Sequence, residues 1–148
     1  MPNDVLILAE FLPYQLSITS NAVSDLIARS YRGRFGLKVP EWRVMALLGE
    51  RASATQRDLV SATAMDKVSV NRATKALEDR GLVGRAPNVA DGRSHHLALT
   101  PTGRELYDQI VPFALNVEAE LAKVFGEGEV KILEDMLKQL RERVAQID

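Results

Sequence analysis

Cysteine is missing from all 148 residues. Its absence excludes disulfides, thiolate metal sites and thiol redox sensing. Histidine is scarce, with only His95 and His96. Adjacent residues of a strand point to opposite faces, so this pair is poorly arranged to chelate one ion. No metal site is expected. No run of about 18 apolar residues occurs, so no membrane span is expected. The apolar VLILA near the start is flanked by Asp4 and Glu10. It lacks a basic leader, which argues against a signal peptide. The cytoplasm is the expected compartment. Strong charge is also absent. The net value is −1, which argues against indiscriminate nucleic-acid binding.

What is present is unevenly distributed. Thr55–Thr100 holds seven basic and five acidic residues, the remainder twelve and fifteen. A mildly basic segment on an acidic scaffold has the sign of a DNA-reading module. That segment begins with Thr55, a candidate N-cap for QRDLVSAT, with Asp58 at the N3 position of an imperfect capping box. Ala64-Met65 reads as a turn. Asp66 then caps KVSVNRATKALEDR, and Gly81 stops it. Val70, Ala73 and Leu77 share the inward face of that helix. Lys67, Ser69, Asn71, Arg72 and Lys75 share the other. LVGRAPN and HHLALT read as strands around VADGRS, with Asp91-Gly92 as the turn dipeptide of a projecting loop. Two short helices and a hairpin suggest a winged helix-turn-helix, mainly α with a small β-hairpin wing.

The flanking segments read as helices. Pro13 opens one over about 12–31, ended by Gly33 and Gly36. Pro40 opens EWRVMALLGERA, where Trp42 reads as a core anchor. Thr100-Pro101 starts a helix to about residue 125, kinked at Pro112. Val130, Leu133, Leu137, Leu140, Val144 and Ile147 then form an a/d seam. These apolar faces exceed what one small winged-helix core covers, so a homodimer is expected. Residues 4–36 and 101–148 would form the dimerisation helices, and 39–100 the DNA-binding lobe of a single domain, 1–148.

In a helix-turn-helix, the second helix presents its amino end to the major groove. Arg72 can pair with guanine and Asn71 with adenine, while Val68 can meet a thymine methyl. Ser69 and Lys75 suit phosphates. Thr55 and Gln56 join this face at the start of the preceding helix. Arg93 on the wing can reach the minor groove or its phosphates. Asp91 would orient Arg93 or shape the turn, and His95 can add a phosphate contact. A polar helix face alone is equally compatible with plain solvation; the hairpin tips the balance. No catalytic constellation stands out. Asp91, Ser94 and His95 lie at a wing tip without an oxyanion hole. Gly126 and Gly128 lack the strand and lysine of a phosphate loop. No enzyme activity and no cofactor are expected.

PEWRVMALLGE, TQRDLVSATAMDKVSVNRATKALEDRGLVGR and DGRSHHLALTPTGREL together resemble the MarR family of bacterial transcriptional regulators. The match lies in the ordered set. Asp66, Lys67, Val70, Arg72, Leu77 and Gly81 fit its recognition helix, and Asp91, Arg93, Leu97, Leu99 and Thr100 its wing. Leu12-Pro13-Tyr14 and Arg34-Phe35-Gly36-Leu37 resemble one recurring branch. The resemblance implies a winged helix-turn-helix with N- and C-terminal dimerisation helices. It implies a homodimer on a pseudo-palindromic operator, usually repressing nearby genes until a small molecule binds. Such effectors are often aromatic acids. They would bind near Tyr14, Ser17, Asn21, Trp42, Arg43 and Met45, with Arg43 facing a carboxylate. Val68 and Asn71 stand where the family often has Ser or Thr. Lack of cysteine excludes its peroxide-sensing branch, and the wing histidines do not form its zinc site. The alternative is a constitutive architectural or protein-interaction module without an effector.

Overall fold

The computed structural model describes residues 4–88 and 91–147, without the side chains of 86–88 and 91–94. Two compact units divide the chain, Met1–Ile110 and Val111–Asp148. Among the described residues, six helices and one hairpin follow in order: α1 (Leu12–Phe35), α2 (Val39–Glu50), α3 (Gln56–Thr63), α4 (Lys67–Asp79), β1 (Val83–Asn88), β2 (Asp91–Leu99), α5 (Pro101–Ala122) and α6 (Glu129–Gln146). A 3-10 turn at Leu8–Glu10 precedes them.

The first unit is built around α2. Val44, Met45 and Leu48 on this helix are fully buried, beside Leu59 of α3, Val70 and Leu77 of α4 and Leu97 of β2. Each such side chain removed from water contributes about 1.5–3 kcal/mol. Trp42 is only half-buried. Its ring stacks on that of Tyr31, with centroids 5.0 Å apart, so it anchors α1 against α2. Burial raises the Tyr31 hydroxyl above the usual tyrosine pKa.

Local chemistry sets the ends of the elements. Glu41 accepts from the Lys38 amide at 3.2 Å, closing one half of a capping box at the start of α2. The lysine side chain has no acceptor with which to close the other half. The helix α1 runs through Gly33, which was expected to help stop it, and ends at Gly36 with φ +67°. One interior glycine costs a helix about 1 kcal/mol against alanine, too little to end a 24-residue helix. Ala64 turns the chain from α3 toward α4 at φ +55°, an unusual conformation for a residue with a Cβ. Gly81, at φ +72°, closes α4. Its amide donates to the Glu78 carbonyl, and the Leu82 amide to the Leu77 carbonyl. These two bonds, with Leu77 and Leu82 buried, make a Schellman motif.

The strands pair antiparallel, from Val83 with Leu99 to Pro87 with His95, and the register shifts before Asn88 pairs with Asp91. Asp91 and Gly92 therefore belong to β2, and the expected Asp91-Gly92 turn is corrected. The connection is shorter than VADGRS because the ladder extends to Asn88. Ala54 forms an isolated bridge to this two-stranded sheet, exchanging backbone hydrogen bonds with Leu97 at 3.0 and 2.7 Å. Thr100 caps α5 by accepting from the Gly103 amide at 3.0 Å. The α5 helix contains Pro112 and ends at Ala122, short of the expected 125.

In the second unit, no residue of α6 is buried. Leu133, Leu137 and Leu140 of the expected seam are half-buried, whereas Val144 and Ile147 are well exposed. No helix among the described residues is long and apolar enough to cross a membrane.

Candidate nucleic-acid interface

The α4 helix has two chemically distinct sides. Val70, Ala73, Thr74 and Leu77 are buried against the core. Lys67, Val68, Asn71, Arg72 and Lys75 are exposed. Val68 is 58% exposed, an apolar side chain set among polar ones. Its amino end is organised by Asp66, which accepts from the Ser69 amide at 2.7 Å and the Ser69 hydroxyl at 3.1 Å. Those two bonds hold the Asp66 carboxyl below the usual aspartate range. The Ser69 hydrogen is thereby directed into the cap, which weakens the case for Ser69 as a phosphate donor.

At the start of α3, Thr55 accepts from the Asp58 amide at 3.1 Å, and Asp58 accepts from the Thr55 amide at 3.0 Å. The expected capping box is thus complete, and it lowers the Asp58 pKa. Thr55 keeps its own hydroxyl hydrogen to donate. Gln56 reaches across to α4, its Nε2 donating to Thr74 Oγ1 at 2.9 Å. Thr74 is fully buried and donates in turn to the Asn71 carbonyl at 3.1 Å. This contact fixes the two helices against each other next to Asn71. Gln56 Oε1 is buried without a hydrogen-bond partner among the described residues. Gln56, Arg57, Val60 and Lys67 line a cleft of about 350 Å³ between the amino ends of α3 and α4.

Sequence reasoning missed four residues that hold this arrangement. Ser53 bonds His96 Nδ1 at 2.9 Å, and Ala54 pairs with Leu97. Thr74 receives Gln56, and Arg80 binds carbonyls at the end of α1. The two histidines divide as strand alternation predicts. His95 is exposed, and His96 is half-buried against Ser53. Arg85 is engaged by Glu78 at 2.9 Å. The basic residues exposed on α3 and α4 are then Arg57, Lys67, Arg72 and Lys75. The side chains of Asp91 and Arg93 lie outside the described residues.

Trp42 and Arg43 line a groove of about 260 Å³ with Ala46, Leu47, Glu50, Ala62 and Thr63. Tyr14, Ser17 and Asn21 are not in its lining. Met45 is fully buried and serves the core, so its expected place in that pocket is not seen. No group of three or more potential metal ligands occurs among the described residues.

This geometry matches known proteins. Residues 35–94 fit the family model described as MarR family. The chain is 26% identical over 140 residues to YdgJ of Bacillus subtilis (strain 168), an uncharacterised HTH-type transcriptional regulator, covering 95% of this chain and 82% of YdgJ. It superimposes with a TM-score of 0.88 on a MarR/EmrR family transcriptional regulator from Acinetobacter sp. ADP1, at 27% identity, covering 96% of this chain and all of that one. The match over residues 35–94 and the shared fold make the chain similar to MarR-family transcriptional regulators. The relatives it matches are transcriptional regulators, and its α3, α4 and hairpin correspond to the winged helix-turn-helix of that fold. Bordetella bronchiseptica BpsR has the same fold, with a TM-score of 0.85 at 22% identity over 93% of this chain and 98% of BpsR. Its structure addresses the regulation of BpsR DNA binding by 6-hydroxynicotinic acid.

Proposed function

We propose that this chain is a member of the MarR family, a cytoplasmic homodimeric repressor that binds a pseudo-palindromic operator and is released by a small aromatic-acid effector. The observation that carries this reading is the two-sided α4, with Lys67, Val68, Asn71, Arg72 and Lys75 outward and an apolar side buried. Arg72 reads guanine, Asn71 adenine and Val68 a thymine methyl. Lys75, Thr55 and Gln56 meet the backbone, and the wing with Asp91, Arg93 and His95 meets the adjacent groove. Residues 39–100 act as the lobe that reads DNA.

The ends of the chain serve assembly in this proposal. Val5, Leu6, Ile7, Leu8 and Leu12 are more than half exposed, as are Ile132, Met136, Val144 and Ile147. So much uncovered apolar surface is costly in water, and a second copy would cover it. Segments 4–36 and 101–148 then supply the dimer contacts. Two lobes place two half-sites about one helical turn, roughly 10 bp, apart. For release, Trp42 offers an aromatic face and Arg43 a cation at the edge of their groove. BpsR supports an acidic aromatic as the class of effector. A tenfold loss of DNA affinity needs only about 1.4 kcal/mol of differential binding between two conformations.

Selection of bound genomic fragments by the full-length chain tests the reading. One recurrent pseudo-palindrome is expected, and Arg72→Ala should weaken binding to it by about 1–3 kcal/mol. Absence of any enriched site, or an unchanged affinity for Arg72→Ala, refutes the assignment of this face. Titrating 6-hydroxynicotinic acid and related aromatic acids into the complex tests release. No release by any of them favours a constitutive DNA-binding protein.

A further inference from the structure

Arg80 is one of seven basic residues in the DNA-reading segment, yet its partners lie elsewhere. Its Nη1 donates to the Gly36 carbonyl at 3.1 Å, and its Nη2 to the Phe35 carbonyl at 3.3 Å. Both acceptors belong to the end of α1, where the last carbonyls of a helix lack intrahelical donors. Among the described residues, its guanidinium has carbonyls and no carboxylate for partners. Arg80 itself is the C-cap of α4. One guanidinium therefore sits between the carboxyl ends of two helices, where both macrodipoles favour a cation. Its planar fork bridges two adjacent carbonyls in a way a lysine's single nitrogen does not reproduce.

The neighbouring contacts make this joint directional. Gly36 leaves α1 at φ +67°, which carries its carbonyl and that of Phe35 around the helix end. Phe35 and Tyr31 form an aromatic pair with centroids 6.1 Å apart, and Tyr31 stacks on Trp42. The end of α1 is thus fixed against α2 from one side and tied to α4 from the other. Among the described residues, side-chain ties from Gln56 to Thr74 and from Glu78 to Arg85 also hold α4. Neither reaches α1. The bidentate bond at its carboxyl terminus adds to the packing of Val70, Ala73, Thr74 and Leu77 a directional constraint on rotation of α4 about its long axis.

We propose that Arg80 is a positioning residue, which sets the orientation of the recognition helix by clamping its end to α1 and does not contact DNA. This rests on the reading of α4 as the DNA-contacting helix. A clamp of this kind acts on specific binding, because base-edge hydrogen bonds depend on orientation to a few tenths of an ångström. Non-specific binding depends on the number of phosphates neutralised, and that number is unchanged when a residue off the interface is altered.

The test compares the wild-type chain with Arg80→Lys, Arg80→Met and Arg72→Ala. Binding is measured to the duplex recovered by selection and to a 30-bp duplex of scrambled sequence, from 50 to 200 mM salt. For Arg80→Met, specific affinity should fall about tenfold, with scrambled-duplex affinity within twofold of wild type. The slope of log affinity against log salt should stay the same. Arg80→Lys should recover only part of the loss. A slope reduced by about 0.9 marks a direct phosphate contact and overturns the proposal. Equal losses on both duplexes, or full recovery by lysine, also overturn it. If Arg72→Ala binds like wild type, the reading of α4 fails instead. If Arg72→Ala is weakened while Arg80→Met binds the selected duplex normally, that reading stands and the clamp is wrong. Circular dichroism of each variant at the assay temperature ensures that only folded protein is compared.

Discussion

Replacing Gly103 with alanine adds one methyl group where the start of α5 closely approaches the Leu82 backbone. A Cβ at this buried position would lie 1.9 Å from the Leu82 carbonyl oxygen and 2.9 Å from its carbon. Both atoms are backbone, so no side-chain rotation relieves the clash. The start of α5 must therefore move away from Leu82 by more than 1 Å, since ordinary carbon–oxygen contacts are about 3.3 Å or longer. Two hydrogen bonds cross this joint, Thr100 amide to Leu82 at 3.0 Å and Thr100 hydroxyl to Gly81 at 2.6 Å, and the Gly103 amide caps α5 on Thr100 Oγ1 at 3.0 Å beside them. Each is worth about 0.5–1.5 kcal/mol. Overpacking adds about 1–3 kcal/mol, and the helix preference for alanine returns about 1 kcal/mol. A net loss of about 3 kcal/mol is expected. With a urea dependence near 2 kcal/mol per molar, the unfolding midpoint should drop by about 1.5 M at fixed protein concentration. Gly33→Ala is the control. Nothing lies within 4 Å of its added Cβ, and it should gain about 1 kcal/mol. Equal midpoints for the two variants would refute the close approach at Leu82.

Ala64 sits at φ +55°, a conformation that costs a residue with a Cβ about 1–2 kcal/mol. Ala64→Gly should raise stability by about 0.5 kcal/mol after the extra freedom of glycine in the unfolded chain is allowed for, read as a higher thermal midpoint. Asp66 has its pKa depressed by the Ser69 bonds, so its stabilising effect is present above the usual aspartate range and lost as pH falls through the folded value. Asp66→Asn should accordingly flatten the acid limb of stability against pH, and an unaltered limb would discount the cap.

Much of the DNA-reading segment was legible because its signals are local. Thr55 with Asp58, Asp66 with Ser69, and Gly81 after α4 each act across three residues or fewer. The inward Val70, Ala73 and Leu77 follow directly from helical period. Misreadings arose where a local preference competed with a longer-range one. Asp91-Gly92 favours a turn, yet β2 begins at Asp91 and pairs with Asn88. Gly33 weakens a helix, yet the packing of Tyr31 and Phe35 carries α1 past it. Ser53 with His96 and Arg80 with Gly36 are 43 and 44 residues apart. No periodicity or motif announces such a pair; the fold must first bring the ends together. Met45 is the clearest case at the candidate effector site. Its neighbours Trp42 and Arg43 border a groove, while Met45, two residues beyond Arg43 and about 200° around the helix, is buried in the core.

Ala54 pairs with Leu97 immediately before the cap of α3. The hairpin is thus hinged to the same short segment from which α3 departs, and α3 is tied to α4 through Gln56. Helix and hairpin share a common datum, as two jaws cut from one block do. Within one protomer their offset is a constant of the fold. If DNA is read by a pair of such protomers, the adjustable dimension is the distance between blocks, and a change there shifts helix and hairpin together.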